Sequence, residues 1–195
     1  MLIGLTGMSG AGKSTVAALF EKKGFRIIDC DALVHSLYED VRYLQLIRDA
    51  FGEEYICGNK VDRKKLGAFV FSDPQALKKL NETVSPFIMQ AVTDEIEAVK
   101  TADISAVLDA PLLFEYGLEK YCDCLIGVTV DAETAVKRLC ARDHRSEEEL
   151  RARLRSQHDE SFFREACDYV LENNADERSL SAALDGILEK IYIYR

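Results

Sequence analysis

Prolines are scarce: the 195-residue chain has three, with no low-complexity tract and no internal repeat, so no linker is expected to split it into separate domains. No stretch approaches the ~18 consecutive apolar residues of a membrane-spanning helix, which excludes that class. The N-terminal apolar run is short and has no basic flank before it, so no secretory signal is expected. Basic residues are also in deficit. Lys and Arg number 25 against 34 Asp and Glu, and the formal charge of −9 argues against general affinity for DNA or RNA. No C-x-x-C pair occurs among the six cysteines, Cys30, Cys57, Cys122, Cys124, Cys140 and Cys167. Cys122-x-Cys124 has no second pair or histidine cluster to complete a metal site. The cysteines read as small core or surface residues kept reduced in the cytoplasm. No feature calls for a membrane or an obligatory protein partner. What is present, 48% hydrophobic and 30% charged residues, suits one α/β core with small insertions.

Residues 7–14 read Gly7-Met8-Ser9-Gly10-Ala11-Gly12-Lys13-Ser14, the full phosphate-binding pattern G-x-x-x-x-G-K-[S/T]. The apolar run Leu2-Ile3-Gly4-Leu5 precedes it as a strand. A helical pattern with Val16, Ala17, Leu19 and Phe20 follows, stopped by Lys22-Lys23-Gly24. Glycines let the backbone curl so that amides point at phosphate oxygens, and the positive helix end adds to that field. Lys13 is expected on the β- and γ-phosphates of a nucleoside triphosphate, and the Ser14 hydroxyl in a magnesium shell.

Strands are predicted near 2–6, 25–29, 104–109, 124–130 and 168–171, alternating with helices, which points to a parallel sheet covered on both faces. Residues 32–100 show no convincing core strand and look largely helical. Residues 133–165 are charged and helical. A core with two such insertions, one for an acceptor and one as a lid, is the plan of small phosphoryl-transfer kinases.

Three groups of side chains carry the chemistry. The run Phe25-Arg26-Ile27-Ile28-Asp29-Cys30-Asp31 ends a strand in two carboxylates, at the sheet edge where the phosphate loop opens. Asp31 is expected to accept the proton of an attacking hydroxyl, with Asp29 deeper on the same side; helix capping is the alternative for both. Asp109 closes Ile104-Ser105-Ala106-Val107-Leu108-Asp109, a hydrophobic strand ending in an acid that holds magnesium directly or through water. Arg138 and Arg142, four apart on one helix face, stand out among Arg138, Arg142, Arg145, Arg151, Arg153 and Arg155 as candidates for balancing phosphate charge. Most of the six read as a solvated, mixed-charge face. Asn59-Lys60-Val61-Asp62 and Asp49-Ala50-Phe51-Gly52 match GTPase patterns, but they lie too close together and follow no core strand.

Taken together the chain resembles the dephospho-coenzyme A kinase family over nearly its whole length. The resemblance rests on Ile3 to Gly7 leading into the phosphate loop, Ile28-Asp29-Cys30-Asp31, Asp62-Arg63-Lys64-Lys65-Leu66-Gly67 and Val70-Phe71-Ser72-Asp73-Pro74. It extends through Leu80-Asn81, Asp109-Ala110-Pro111-Leu112-Leu113-Phe114-Glu115, Arg138 to Arg142-Asp143, Gln157 and Asn173-Asn174. It implies a single α/β P-loop domain over 1–195. That domain would have three layers with a five-stranded parallel sheet, a helical acceptor-binding insertion over 32–100 and a lid over 133–165. It also implies transfer of the ATP γ-phosphate, with magnesium, to the ribose 3′-hydroxyl of dephospho-CoA, by Asp31, Lys13 and Arg142. ATP would meet Gly7, Met8, Ser9, Gly10, Ala11, Gly12, Lys13, Ser14, Thr15, Arg138 and, near adenine, Asn173. The acceptor would meet Asp31, Arg63, Leu80, Pro86 and Asp109, with a helix cap and a salt bridge as the alternative for Asp62 and Arg63. Three departures stand out: Met8 where the family usually has glycine, Ser85-Pro86 for its His-Pro, and no Gly-Pro turn in 38–43. Met8 keeps a backbone N–H for phosphate. A nucleoside or nucleotide kinase is the nearest alternative, and a regulatory ATPase switch the alternative from another class.

Overall fold

The computed structural model describes residues 1–143 and 145–193; His144, inside the expected lid segment, lies outside them. In chain order come β1 (Leu2–Gly7), α1 (Lys13–Lys22), β2 (Arg26–Asp29), α2 (Cys30–Leu37), α3 (Val41–Phe51), β3 (Ile56–Cys57) and β4 (Lys60–Val61). Then follow α4 (Arg63–Ser72), α5 (Pro74–Thr101), β5 (Ala106–Asp109), β6 (Cys124–Thr129), α6 (Ala132–Asp143), α7 (Glu147–Arg155), α8 (Glu160–Ala166), β7 (Tyr169–Glu172) and α9 (Glu177–Ile193). The chain divides into two compact units, Met1–Ile28 with Val99–Arg195, and Asp29–Ala98.

The main sheet has five strands in the order β2-β5-β1-β6-β7, each within two residues of its predicted span. β1 pairs in parallel with β5, Leu2 opposite Ala106 through Leu5 opposite Asp109, and with β6, Ile3 opposite Cys124 through Gly7 opposite Val128. β7 extends the sheet from β6. Alternation sets the two faces of β1. Ile3 and Leu5 join Val107, Ile126 and Val128 in a core with Val16 and Phe20 of α1 and Leu184 and Ile187 of α9. Gly127, between Ile126 and Val128 and so on the opposite face, lies under Phe163 of α8. Full burial of each large side chain, Phe20 among them, is worth about 1.5–3 kcal/mol. These central strands are therefore apolar on both sides, and the expectation of a covered parallel sheet holds.

The unit Asp29–Ala98 packs α2 to α5 around Leu37, Tyr43, Leu44, Ile47, Val61, Leu66, Val70 and Val84. It also holds a feature beyond the helical expectation, the antiparallel hairpin of β3 and β4. The GTPase-like Asn59-Lys60-Val61-Asp62 forms the turn and second strand of this hairpin, and Asp49 to Gly52 ends α3. Neither follows a strand of the main sheet, so neither can read a base as a GTPase does.

Carboxylates start several helices. Asp29 accepts from Ala32 N at 2.9 Å, Asp40 from Arg42 N at 2.8 Å and Asp62 from Lys65 N at 3.0 Å. Ser146 and Glu149 form a reciprocal capping box on α7. Among the described residues no helix is long and apolar enough to cross a membrane.

Candidate active site

The link from β1 to α1 turns through Gly10 at φ 79° and Gly12 at φ 84°, left-handed values that favour glycine. Space is closed there as well. A Cβ on Gly10 would stand 2.9 Å from the main-chain oxygen of Ala135 in α6, and one on Gly12 would collide with Asn173 Nδ2. Ala11 N donates to Met8 O at 3.1 Å and closes the loop. Among the described residues no protein acceptor takes the amide protons of Gly10, Gly12, Lys13 and Ser14. These donors lie at the N-terminal end of α1, where the helix dipole favours an anion. Met8 differs from expectation: its N–H donates to Val128 O at 3.0 Å, so it ties the loop to β6 and is not available to phosphate. Asp103 is the sole non-glycine residue with positive φ among those described, so position 8 has no conformational need for glycine.

Lys13 Nζ donates to Asp109 Oδ1, joining the loop lysine to the acid that ends β5. Asp109 is 6% exposed and is opposite Leu5 in the sheet register. Magnesium prefers hard oxygen donors, and the exposed Ser14 hydroxyl with the Asp109 carboxylate supplies that chemistry.

Arg138 was expected on phosphate, but its guanidinium binds main-chain oxygens, Asn173 O at 3.0 Å and Gly10 O at 3.4 Å. Asn173, 7% exposed, donates through Nδ2 to Ala11 O at 2.7 Å, and its own N–H donates to Thr129 O at 2.9 Å. Its neighbour Asn174 accepts from Asp131 N at 2.9 Å. Arg142 is exposed and makes a two-pronged contact with Asp143, at 2.6 and 3.1 Å. That hydrogen bond is the main cause of a lowered Asp143 pKa and a raised Arg142 pKa. Arg153 joins the same carboxylate at 3.4 Å, and Arg151 pairs with Glu133 and Glu147. Cys122 lies against Gly4, and burial pushes its thiol pKa up to about 12, while Cys124 faces the main core. No metal-binding cluster of His, Cys, Asp or Glu occurs among the described residues.

In the unit Asp29–Ala98, Asp29 is the cap of α2, whereas Asp31 is an exposed residue of its first turn, two residues past β2. His35 Nδ1 donates to the Asp31 main-chain oxygen at 2.7 Å. Asp62 is a helix cap, and Arg63 lies over the Tyr38 ring at 4.7 Å where a salt bridge was the alternative. Leu80 packs against this unit's core, and Pro86 is exposed within α5. Tyr38 and Thr129 went unnoticed in the sequence, where Asp143 was quoted but given no role. Only Asp143 had a signal there, its adjacency to Arg142.

The family model described as dephospho-CoA kinase matches residues 1–178. This chain belongs to the dephospho-CoA kinase family. Relatives bearing that name include one from Geobacillus kaustophilus, 37% identical with 97% of this chain and 96% of the relative covered. Another, from Lactobacillus acidophilus, is 34% identical at the same coverage. Among solved structures, TT1252 from Thermus thermophilus superposes with a TM-score of 0.80 at 35% identity, covering 97% of each chain. Dephospho-CoA kinase from Campylobacter jejuni, at 24% identity and TM-score 0.68, shares the fold, covering 97% of this chain and 96% of its own. The family match favours kinase chemistry over the regulatory-switch alternative.

Proposed function

We propose that this protein is an ATP-dependent dephospho-CoA kinase, which phosphorylates the ribose 3′-hydroxyl of dephospho-CoA in the last step of coenzyme A synthesis. The observation that carries this reading is the family match over residues 1–178, which spans both compact units and includes the complete phosphate loop.

The amides of Gly10, Gly12, Lys13 and Ser14 bind the ATP phosphates with the Lys13 ammonium, as Gly7, Ser9, Ala11 and Thr15 shape the loop. Ser14 and Asp109 would hold magnesium, which supplies positive charge to the phosphates. Asp31 takes the proton of the ribose 3′-hydroxyl as its oxygen bonds to the γ-phosphorus, the bond to the β–γ bridging oxygen breaks, and ADP leaves. Arg142, on the 133–165 segment read as the lid, balances charge on the transferred group once it exchanges Asp143 for phosphate. The unit Asp29–Ala98 binds the acceptor, with Arg63, Leu80 and Pro86 as its contacts and Asp109 as a further one. The six cysteines, with no C-x-x-C pair among them, suit a reducing cytoplasm.

The test is a coupled ATP-to-ADP assay with dephospho-CoA, adenosine, AMP and shikimate as acceptors. Turnover with dephospho-CoA alone is expected. Turnover with adenosine or AMP in its place would move the protein to the nucleoside and nucleotide kinases.

A further inference from the structure

We propose that Asn173 is a positioning residue that holds the phosphate loop in its binding form, so that it acts on the triphosphate and not on the adenine. The proposal deepens the nucleotide-binding reading and rests on it.

All peptide bonds among the described residues are trans, and in a trans peptide the C=O and N–H of one plane point in opposite directions. Asn173 Nδ2 holds Ala11 O at 2.7 Å. The Gly12 N–H belongs to the same peptide plane and must point away from Asn173. It is one of the amides that no protein acceptor takes. A carbonyl turned inward at this place would present negative charge to a phosphate; the amide presents positive charge. The contact therefore decides the sign of the group offered to the ligand.

Asn173 is fixed for this task on three sides. Its N–H donates to Thr129 O, its C=O accepts from Arg138, and the residue is buried, with Nδ2 in the bond to Ala11. Arg138 also reaches Gly10 O at 3.4 Å, the carbonyl one peptide earlier, while the N–H of that plane, on Ala11, turns to Met8 O. Two successive loop carbonyls are thus anchored from the β7–α9 link and α6. Gly12 leaves Nδ2 room to approach, since a Cβ there would occupy its position.

Calorimetry on the full chain compares wild type, Asn173→Ala and the similarly branched, apolar Asn173→Leu for binding of inorganic tripolyphosphate, ATP and GTP. Steady-state kinetics follow both substrates. Tripolyphosphate has no base, so it reports the loop alone. The expected result is an equal loss for tripolyphosphate and ATP, about tenfold, or about 1.4 kcal/mol. The ATP-to-GTP ratio should hold, and KM for ATP should rise while KM for dephospho-CoA stays put, a split that general destabilisation would not give. Asn173→Leu keeps the branched outline and fills the site if the cavity left by Ala unfolds the chain. Unchanged tripolyphosphate binding in either folded variant overturns the proposal, and an altered ATP-to-GTP ratio does so by placing Asn173 on the base. Wild type that binds neither ATP nor tripolyphosphate overturns the nucleotide reading itself, a failure visible before any variant is compared.

Discussion

Asp31 and Asp29 are two residues apart, yet they have different work. Asp29 spends its carboxylate on the Ala32 amide and starts α2, while Asp31 leaves its carboxylate exposed in the first turn. Asp31→Asn should lower kcat about 10²–10⁴-fold, the range for loss of a general base, with ATP affinity unchanged by calorimetry. Wild-type turnover in that variant would remove Asp31 from the mechanism. The pattern residues of the loop were legible in sequence because the pattern states a requirement: a glycine at position 12, which turns left-handed, and a cation at Lys13. The commitments of individual donors were not legible. Met8 N–H goes to Val128 and Arg138 to two carbonyls because strands and helices distant in sequence meet there, and no local pattern records which acceptor wins.

At the scale of elements, the main-sheet strands could be read because each is an apolar run bounded by charge or turn residues. The β3–β4 hairpin could not, since two-residue strands have no periodicity to detect. Helix α7 has weak apolar patterning but strong ends. Leu150 is its one buried side chain, and its start rests on the Ser146–Glu149 box, with both bonds at 3.3 Å. A nine-residue helix is marginal in water on its own, so its cap matters more than that of a longer helix. Ser146→Ala should cost about 1 kcal/mol locally. Hydrogen exchange should show faster exchange across Glu147–Arg155, with protection of β1 and β6 unchanged. Equal loss of protection in the central strands would show that α7 does not unfold on its own.

For the molecule as a whole, acid residues outnumber basic ones, and several start helices, so its stability should fall on acidification through identifiable groups. Asp131, Asp159 and Asp176 each have a lowered pKa. The main causes are the Thr134 amide for Asp131, the Ser161 hydroxyl for Asp159 and the Ser179 amide for Asp176. The unfolded chain titrates aspartate near about 3.9. With folded values below that, the unfolded state binds more protons in the interval, and stability rises with pH. The contribution is complete above the unfolded value and disappears as pH falls through the folded ones. Serine caps a helix about as well as aspartate and does not titrate in this range. The triple variant Asp131→Ser, Asp159→Ser, Asp176→Ser should therefore match or fall slightly below wild type at pH 7. Between about pH 5 and pH 2 its denaturation midpoint should decline less steeply. Parallel pH profiles for the two proteins would mean that these caps do not govern acid unfolding, and that the remaining carboxylates and net charge repulsion do.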